Sequence, residues 1–275
     1  MMDSGTPATF GSVATKDGVS LFYTVQGSED APWLIVSNSL ATTHAMWDLQ
    51  VAELSKIRRV LRYDTRSHGR SSVPDADSGF DTLADDVIAM MDSLGIPKAD
   101  IMGLSMGGMT ALAVAINHPS RIEKMICCDA RADAPDPYKA MWDGNIAKVR
   151  ETGSTAALVE PTLERWFTEA FRSNPANAAA LDKVRDMILG TSAAGYLRAA
   201  TCLRSLDLLK DLPSITSPSL FVAGDSDPAA PLPVMQEMAD KTPGGTLAVV
   251  PHAAHLSNIE QPEAFTATVA GFLKD

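Results

Sequence analysis

One pentapeptide narrows the possible folds of this 275-residue chain more than any other feature. Gly103-Leu104-Ser105-Met106-Gly107 reads G-x-S-x-G, preceded by a short apolar run over residues 99–102 and followed by a longer one over 109–116. The first run suits a buried strand and the second a buried helix. A serine on the sharp turn between them needs a strained backbone. Side chains two positions before and two after it would collide with the neighbouring strand and helix, so glycine at 103 and 107 is a steric requirement. The hydroxyl is then held at the end of a sheet, above the amides that open a helix. Three fixed residues in five recur by chance, so the weight comes from the flanking strand and helix patterns. Ser105 is the candidate nucleophile; the alternative is a Gly-rich turn with an incidental serine.

The length allows one large domain, or a core with an insert. Hydrophobic residues make up 45% and charged residues 21%, as in an ordinary soluble protein. A net charge of −11 argues against nucleic-acid and anionic-membrane partners. Residues 1–7 carry neither the basic nor the apolar region of a secretory signal. The longest uncharged run, 101–117, is short for a membrane span and contains the glycine cluster. The three cysteines, with Cys127 and Cys128 adjacent, make no disulfide framework and read as small buried hydrophobes. These readings lead us to expect a cytoplasmic protein, monomeric or a small homo-oligomer, acting on a small molecule.

Residues 9–15 and 19–26 alternate and are rich in β-branched and aromatic types, with a hairpin turn at Lys16-Asp17-Gly18. Strands follow at 33–36 and 59–63, with a helix within 45–54 between them. An amphipathic helix then carries Leu83, Val87, Met91 and Leu94 on one face. Thr82 and Asp85 read as its capping box and Gly95 as its stop. After the serine turn comes another apolar strand over 123–129. Two hairpin strands, then strands alternating with helices, specify an α/β sheet that is mostly parallel with an antiparallel start. Residues 134–211 show helical periodicity alone and read as a helical cap; residues 1–133 and 212–275 form the core. Strands resume at 219–223 and 246–250, and 262–273 closes the chain as a helix.

A nucleophilic serine needs a base within reach and a carboxylate to orient that base. In an open parallel sheet such groups collect beyond the carboxyl ends of the strands. After the strand at 219–223 comes Gly224-Asp225-Ser226-Asp227, and after the last strand His252-Ala253-Ala254-His255. Asp227, three past the strand-end glycine, is favoured over Asp225, which suits a turn cap. His255, just before the last helical region, is favoured over His252. Asp129 is a weaker acid candidate, and His44, His68 and His118 read as structural. No H-E-x-x-H, H-x-H-x-D or paired-Cys spacing offers a metal site, so neither metal nor cofactor is expected. An oxyanion hole needs two amides: Met106, directly after the nucleophile, and Leu40, in the loop after the strand at 33–36.

Several stretches resemble the α/β-hydrolase superfamily, most closely the 3-oxoadipate enol-lactonases. They are Ser37-Asn38-Ser39-Leu40, Met46-Trp47-Asp48, Leu61-Arg62-Tyr63-Asp64-Thr65-Arg66, Arg165-Trp166-Phe167-Thr168 with Ala170-Phe171, and the run from His255 through Gln261 to Phe265. The resemblance implies a mostly parallel eight-stranded sheet flanked by helices, with a helical cap after the sixth strand. It carries Ser105, Asp227 and His255 over as the triad, and Leu40 and Met106 as the oxyanion pair. It also implies a lactone or small ester as substrate, with 3-oxoadipate enol-lactone the first candidate. Other lactone hydrolases, carboxylesterases, perhydrolases and slow-turnover small-molecule receptors share the template. Dehalogenases and epoxide hydrolases use an aspartate nucleophile, and Ser105 tells against them. Where enol-lactonases carry W-x-x-R-I in the cap, this chain has Trp142-Asp143-Gly144-Asn145-Ile146. Trp142 and Asn145 are therefore expected to line the substrate pocket, with an amide where a cation would meet a free carboxylate. Arg131 and Lys139 are the other cations considered for that pocket.

Overall fold

The computed structural model describes residues 8–274, so the reading of residues 1–7 lies outside the described residues. The chain opens with a hairpin, β1 (Thr9–Ala14) and β2 (Ser20–Gln26), and continues through β3 (Trp33–Ser37), α1 (Asp48–Leu54), β4 (Arg59–Tyr63) and α2 (Phe80–Ser93). Next come β5 (Ala99–Leu104), α3 (Met106–Asn117) and β6 (Ile122–Cys128). Five helices follow: α4 (Asp136–Thr152), α5 (Val159–Trp166), α6 (Glu169–Ser173), α7 (Ala178–Gly190) and α8 (Ala193–Arg204). The core resumes with β7 (Ser219–Gly224), α9 (Leu232–Lys241), β8 (Gly245–Val250), α10 (Ser257–Glu260) and α11 (Pro262–Lys274).

The eight strands form one sheet in the order β1-β2-β4-β3-β5-β6-β7-β8. β2 is antiparallel to both its neighbours and the other pairings are parallel, which gives the mostly parallel sheet with an antiparallel start. β5 and β7 are buried along their whole length, because helices cover both faces of the sheet. The strand order reverses around β3 and β5, and a crevice opens outside the carboxyl ends of strands at such a point. Ser105 follows β5 directly and Leu40 follows β3, so both stand at that crevice.

The glycines of the turn do what their positions demanded. A Cβ on Gly103 would lie 1.9 Å from the Gly107 carbonyl oxygen, and one on Gly107 would lie 2.1 Å from that of Ser37. Both obstacles are backbone and have nowhere to go. Gly103→Ala is expected to destabilise the protein by about 3 kcal/mol or more. An unchanged urea midpoint for that variant would show that the packing is not as tight as these distances state.

One local expectation is met and one is corrected. The helix expected within 45–54 is α1, which a 3₁₀ turn, His44–Trp47, capped by the Thr43 hydroxyl, precedes. Thr82 and Asp85 do not cap α2: the helix starts a turn earlier, at Phe80 after Gly79, because burying the Phe80 ring extends the apolar face. Asp85 instead pairs with His118 across to the end of α3. Helix α9, between the last two strands, went unread. It buries Met235, Met238 and Ala239 against the sheet.

Between β6 and β7 the chain leaves and re-enters the core side by side. Asp133 and Asp207 form an isolated antiparallel bridge, and Leu208 N–H donates to the Ala132 carbonyl at 2.7 Å. The helices α4–α8 lie beyond this neck. Among the described residues no helix is long and apolar enough to cross a membrane.

Candidate active site

Ser105 sits at φ 57°, ψ −119°, a conformation that L-residues rarely adopt and that a rigid surrounding must hold. The hold comes from both sides. Its N–H donates to the Cys128 carbonyl at 2.9 Å, and its own carbonyl accepts from Met109 N–H at 2.9 Å. The side chain is left pointing away from the sheet, and its Oγ meets His255 Nε2 at 2.9 Å. His255 Nδ1 meets Asp227 Oδ2 at 2.8 Å. A carboxylate can only accept, so Nδ1 carries the ring proton and Nε2 is free to accept the serine proton. The other Asp227 oxygen accepts the Ala229 N–H at 2.7 Å, which fixes the carboxylate plane. All three residues are buried, Asp227 at 4% and His255 at 5% exposure.

The rejected partners are occupied elsewhere. Asp225 takes the His252 N–H at 2.9 Å and the Ser226 hydroxyl, which makes it a turn cap. His252 is exposed. Asp129 is fully buried at the end of β6 and accepts from Gly224 N–H at 2.7 Å and from the Ser257 hydroxyl. Burial pushes its carboxyl well above the usual range, and the charge of Asp227 adds to the shift. Asp129 thus secures the end of β7, from which the Asp227 loop departs, and His255 takes its carboxylate partner from that loop.

Leu40, in the loop after β3, lines the cavity with Ser105, and Met106 follows the serine directly. Met106 opens α3, where N–H groups have no intrahelical acceptor. Among the described residues the Leu40 N–H has no protein acceptor either, while its neighbours Ser39, Ala41 and Thr42 all donate to protein atoms. Two free amides beside a nucleophile can stabilise a negatively charged oxygen.

The cavity above Ser105 is small, and its roof comes from Tyr138, Met141 and Trp142 of α4 and Arg165 and Trp166 of α5. Trp142 lines this cavity. Asn145 does not. It lies one helical turn further along α4, where its side chain interacts with the Tyr196 hydroxyl of α8. Lys139 also lies outside the cavity lining, whereas Arg131 and Arg165 both reach it. Arg131 is already engaged: Asp133 takes two of its N–H groups, and the guanidinium lies over Tyr138 at 4.9 Å. Arg165 has no carboxylate partner among the described residues. Among those residues its one side-chain hydrogen bond is to the Met141 sulfur at 3.3 Å, and desolvation lowers its pKa. A half-buried cation without a counter-charge is costly in proportion to its lost hydration, and an anion beside it removes that cost. Arg165 was legible only as one residue of a cap motif, because its neighbours Leu163, Trp166 and Phe167 mark that face as apolar.

The segment carrying Arg165 is fastened to the loop carrying His255. Leu256 N–H donates to the Trp166 carbonyl at 3.1 Å, and the N–H and hydroxyl of Thr168 both donate to Glu260, which also accepts Ala254 N–H at 2.8 Å. The Trp166 and His255 rings lie 6.1 Å apart. Among the described residues no group of three or more His, Cys, Asp and Glu side chains could hold a metal ion.

Comparison with known proteins follows the same outline. Residues 32–262 match the family described as the alpha/beta hydrolase fold. The chain is 36% identical to 3-oxoadipate enol-lactonase 1 of Acinetobacter baylyi over 95% of its own length and 96% of the relative's. Among solved structures, the enol-lactonase from Burkholderia xenovorans LB400 is 38% identical with a TM-score of 0.90, covering 96% of this chain and 100% of that one. A thermophilic esterase from Thermogutta terrifontis, solved with malate bound, is 30% identical with a TM-score of 0.88, covering 97% and 98%.

Proposed function

The chain belongs to the alpha/beta hydrolase fold family and is a hydrolase; from that premise we propose that it opens a carboxylate-bearing lactone or small ester through an acyl-enzyme on Ser105. His255 takes the serine proton as Oγ attacks the carbonyl carbon, and later returns it to the leaving oxygen. Asp227 keeps the ring in the reactive tautomer and balances the imidazolium. The Leu40 and Met106 amides receive the oxyanion. Water then enters along the same path, His255 activates it, and the acid product departs. Residues 134–211 act as the cap that shapes the cavity and keeps bulk water from it.

The observation that carries the substrate reading is Arg165. It is half-buried and has no carboxylate partner among the described residues, it lines the cavity that holds Ser105 and His255, and the hydrogen bonds of Trp166 and Thr168 hold its segment to the His255 loop. A guanidinium so arranged favours an anionic substrate group, best a carboxylate. 3-Oxoadipate enol-lactone is the first candidate, since it carries one free carboxylate beside the scissile ester. The likeness to enol-lactonases from two organisms supports the same choice.

Arg165→Met tests it. For a carboxylate-bearing enol-lactone, kcat/KM is expected to fall about 10- to 100-fold, the equivalent of a lost charge-assisted contact of about 1.5–3 kcal/mol. Neutral p-nitrophenyl esters should change by less than about threefold, because they never used the cation. Equal losses on both classes would reduce Arg165 to a packing residue. A panel of enol-lactones, saturated lactones, acyl-homoserine lactones and simple esters, compared by kcat/KM, separates the lactonase reading from an open-ester hydrolase. Turnover far below about one per second on every member would instead favour a small-molecule receptor.

A further inference from the structure

We propose that His68 is a positioning residue for catalysis: its imidazole holds the Ala41 amide in place and thereby aims the adjacent Leu40 N–H at the reacting oxygen. This rests on the reading of Leu40 as an oxyanion donor. His68 belongs to the turn after β4, far from the triad in sequence, and nothing in the acyl-transfer steps uses it.

The ring is 1% exposed and both nitrogens are engaged. Nε2 receives the Ala41 N–H at 2.9 Å, and Nδ1 faces the Arg66 carbonyl at 3.0 Å. An N–H can only donate and a carbonyl can only accept. The imidazole is therefore neutral, with its proton on Nδ1. Ala41 needs such a partner. It has φ 55°, in the left-handed region, without being glycine, and a residue strained in this way persists only where its surroundings over-determine it. On its far side, the Thr42 hydroxyl donates to the Ser39 carbonyl at 2.7 Å. With the 40–41 peptide pinned by His68 and the loop closed by Thr42, Leu40 has little freedom to turn its own N–H. The turn that carries His68 is itself clamped. Gly195 of α8 packs so closely that a Cβ there would lie 2.3 Å from the Ser67 carbonyl oxygen.

The charged and titratable groups around the ring are Asp64 and Arg66 of its own turn, and His44, which pairs with Asp64 at 2.7 Å from the segment after β3; α8 presents the Gly195 backbone. Burial holds the His68 pKa below its ordinary value, against a smaller opposing pull from Asp64. The neutral form, and the bond to Ala41, are therefore secure above about pH 6.5, the unperturbed value, and are lost as pH falls through the lower folded-state value. Protonation would set an Nε2–H against the Ala41 N–H, two donors with nothing between them.

Two substitutions separate positioning from packing. His68→Gln sets an amide oxygen near the place of Nε2 and cannot titrate; His68→Phe keeps the bulk and offers no acceptor. With p-nitrophenyl acetate, H68F should lose about 10- to 100-fold in kcat with KM within about threefold, somewhat less than outright removal of an oxyanion donor. H68Q should stay within about fivefold of wild type in kcat, and its rate should fall less steeply in acid by one proton. Wild-type kcat in a folded H68F, equal damage in H68F and H68Q, or a loss confined to KM would each overturn the proposal. Should H68F fail to fold, H68Q decides, because a kcat loss beyond about fivefold in a folded sample excludes the role. The underlying site reading fails separately, if Ser105→Ala hydrolyses the same ester at the wild-type rate.

Discussion

Ser105→Ala is expected to lower kcat by at least about 10³-fold on every ester and lactone the wild type turns over. The alanine removes the one atom that bonds to the acyl group and leaves the remaining groups able to bind but not to acylate. The fold should survive. Among the described residues the hydroxyl's one partner is His255, while the bonds that hold the strained turn, to Cys128 and from Met109, are backbone and unchanged. Alanine is no less compatible than serine with the positive φ at this position. Initial rates on purified variant, set beside its thermal midpoint, make the test. Wild-type rates from a well-folded sample would end the serine mechanism.

The second large effect is expected at His255. Its replacement by alanine removes the proton acceptor 2.9 Å from the serine and leaves Asp227 buried without its imidazole, so a loss of about 10³-fold is again expected. His252, three residues earlier, is the internal control. It is held by its backbone, with its N–H on Asp225 and its carbonyl taking the Gln261 amide, and its ring is exposed. His252→Ala should therefore stay within about tenfold of wild type. An exchange of the two behaviours would mean that the C-terminal loop has been misread.

The serine turn was legible because its constraints are local: two glycines are required by backbone oxygens within a few residues or one strand away. The strands were legible for a related reason, since both faces of a parallel sheet are covered and the apolar run is nearly continuous. Helix starts were harder. Thr82 and Asp85 satisfy a capping pattern, yet burial of Phe80 outweighs a cap by enough to move the start of α2. Helix α9 is short and begins with two prolines in three residues, so its apolar face at Met235 and Met238 had little pattern around it. The cap posed a different difficulty. Periodicity along α4 puts Tyr138, Trp142 and Asn145 on one side of the helix. It cannot say which turn of that side stands over the serine, because axial position is set by packing against α8. That is why Asn145 was expected where Arg165 is found.

The adjacency of Asp133 and Asp207 has a consequence for descent and for engineering. An insertion whose two ends meet asks nothing of its host except a fixed gap, so its length and helix count can drift with only a slow, logarithmic entropy penalty. A lineage can thus exchange its whole roof and acquire new substrates while the chemistry below is inherited intact. The tract around Trp166 and Thr168 is the exception, since it is hydrogen-bonded to the histidine loop and belongs, in effect, to the floor. A chimera that brings in a foreign roof should keep these residues native, and breed its diversity on either side of them.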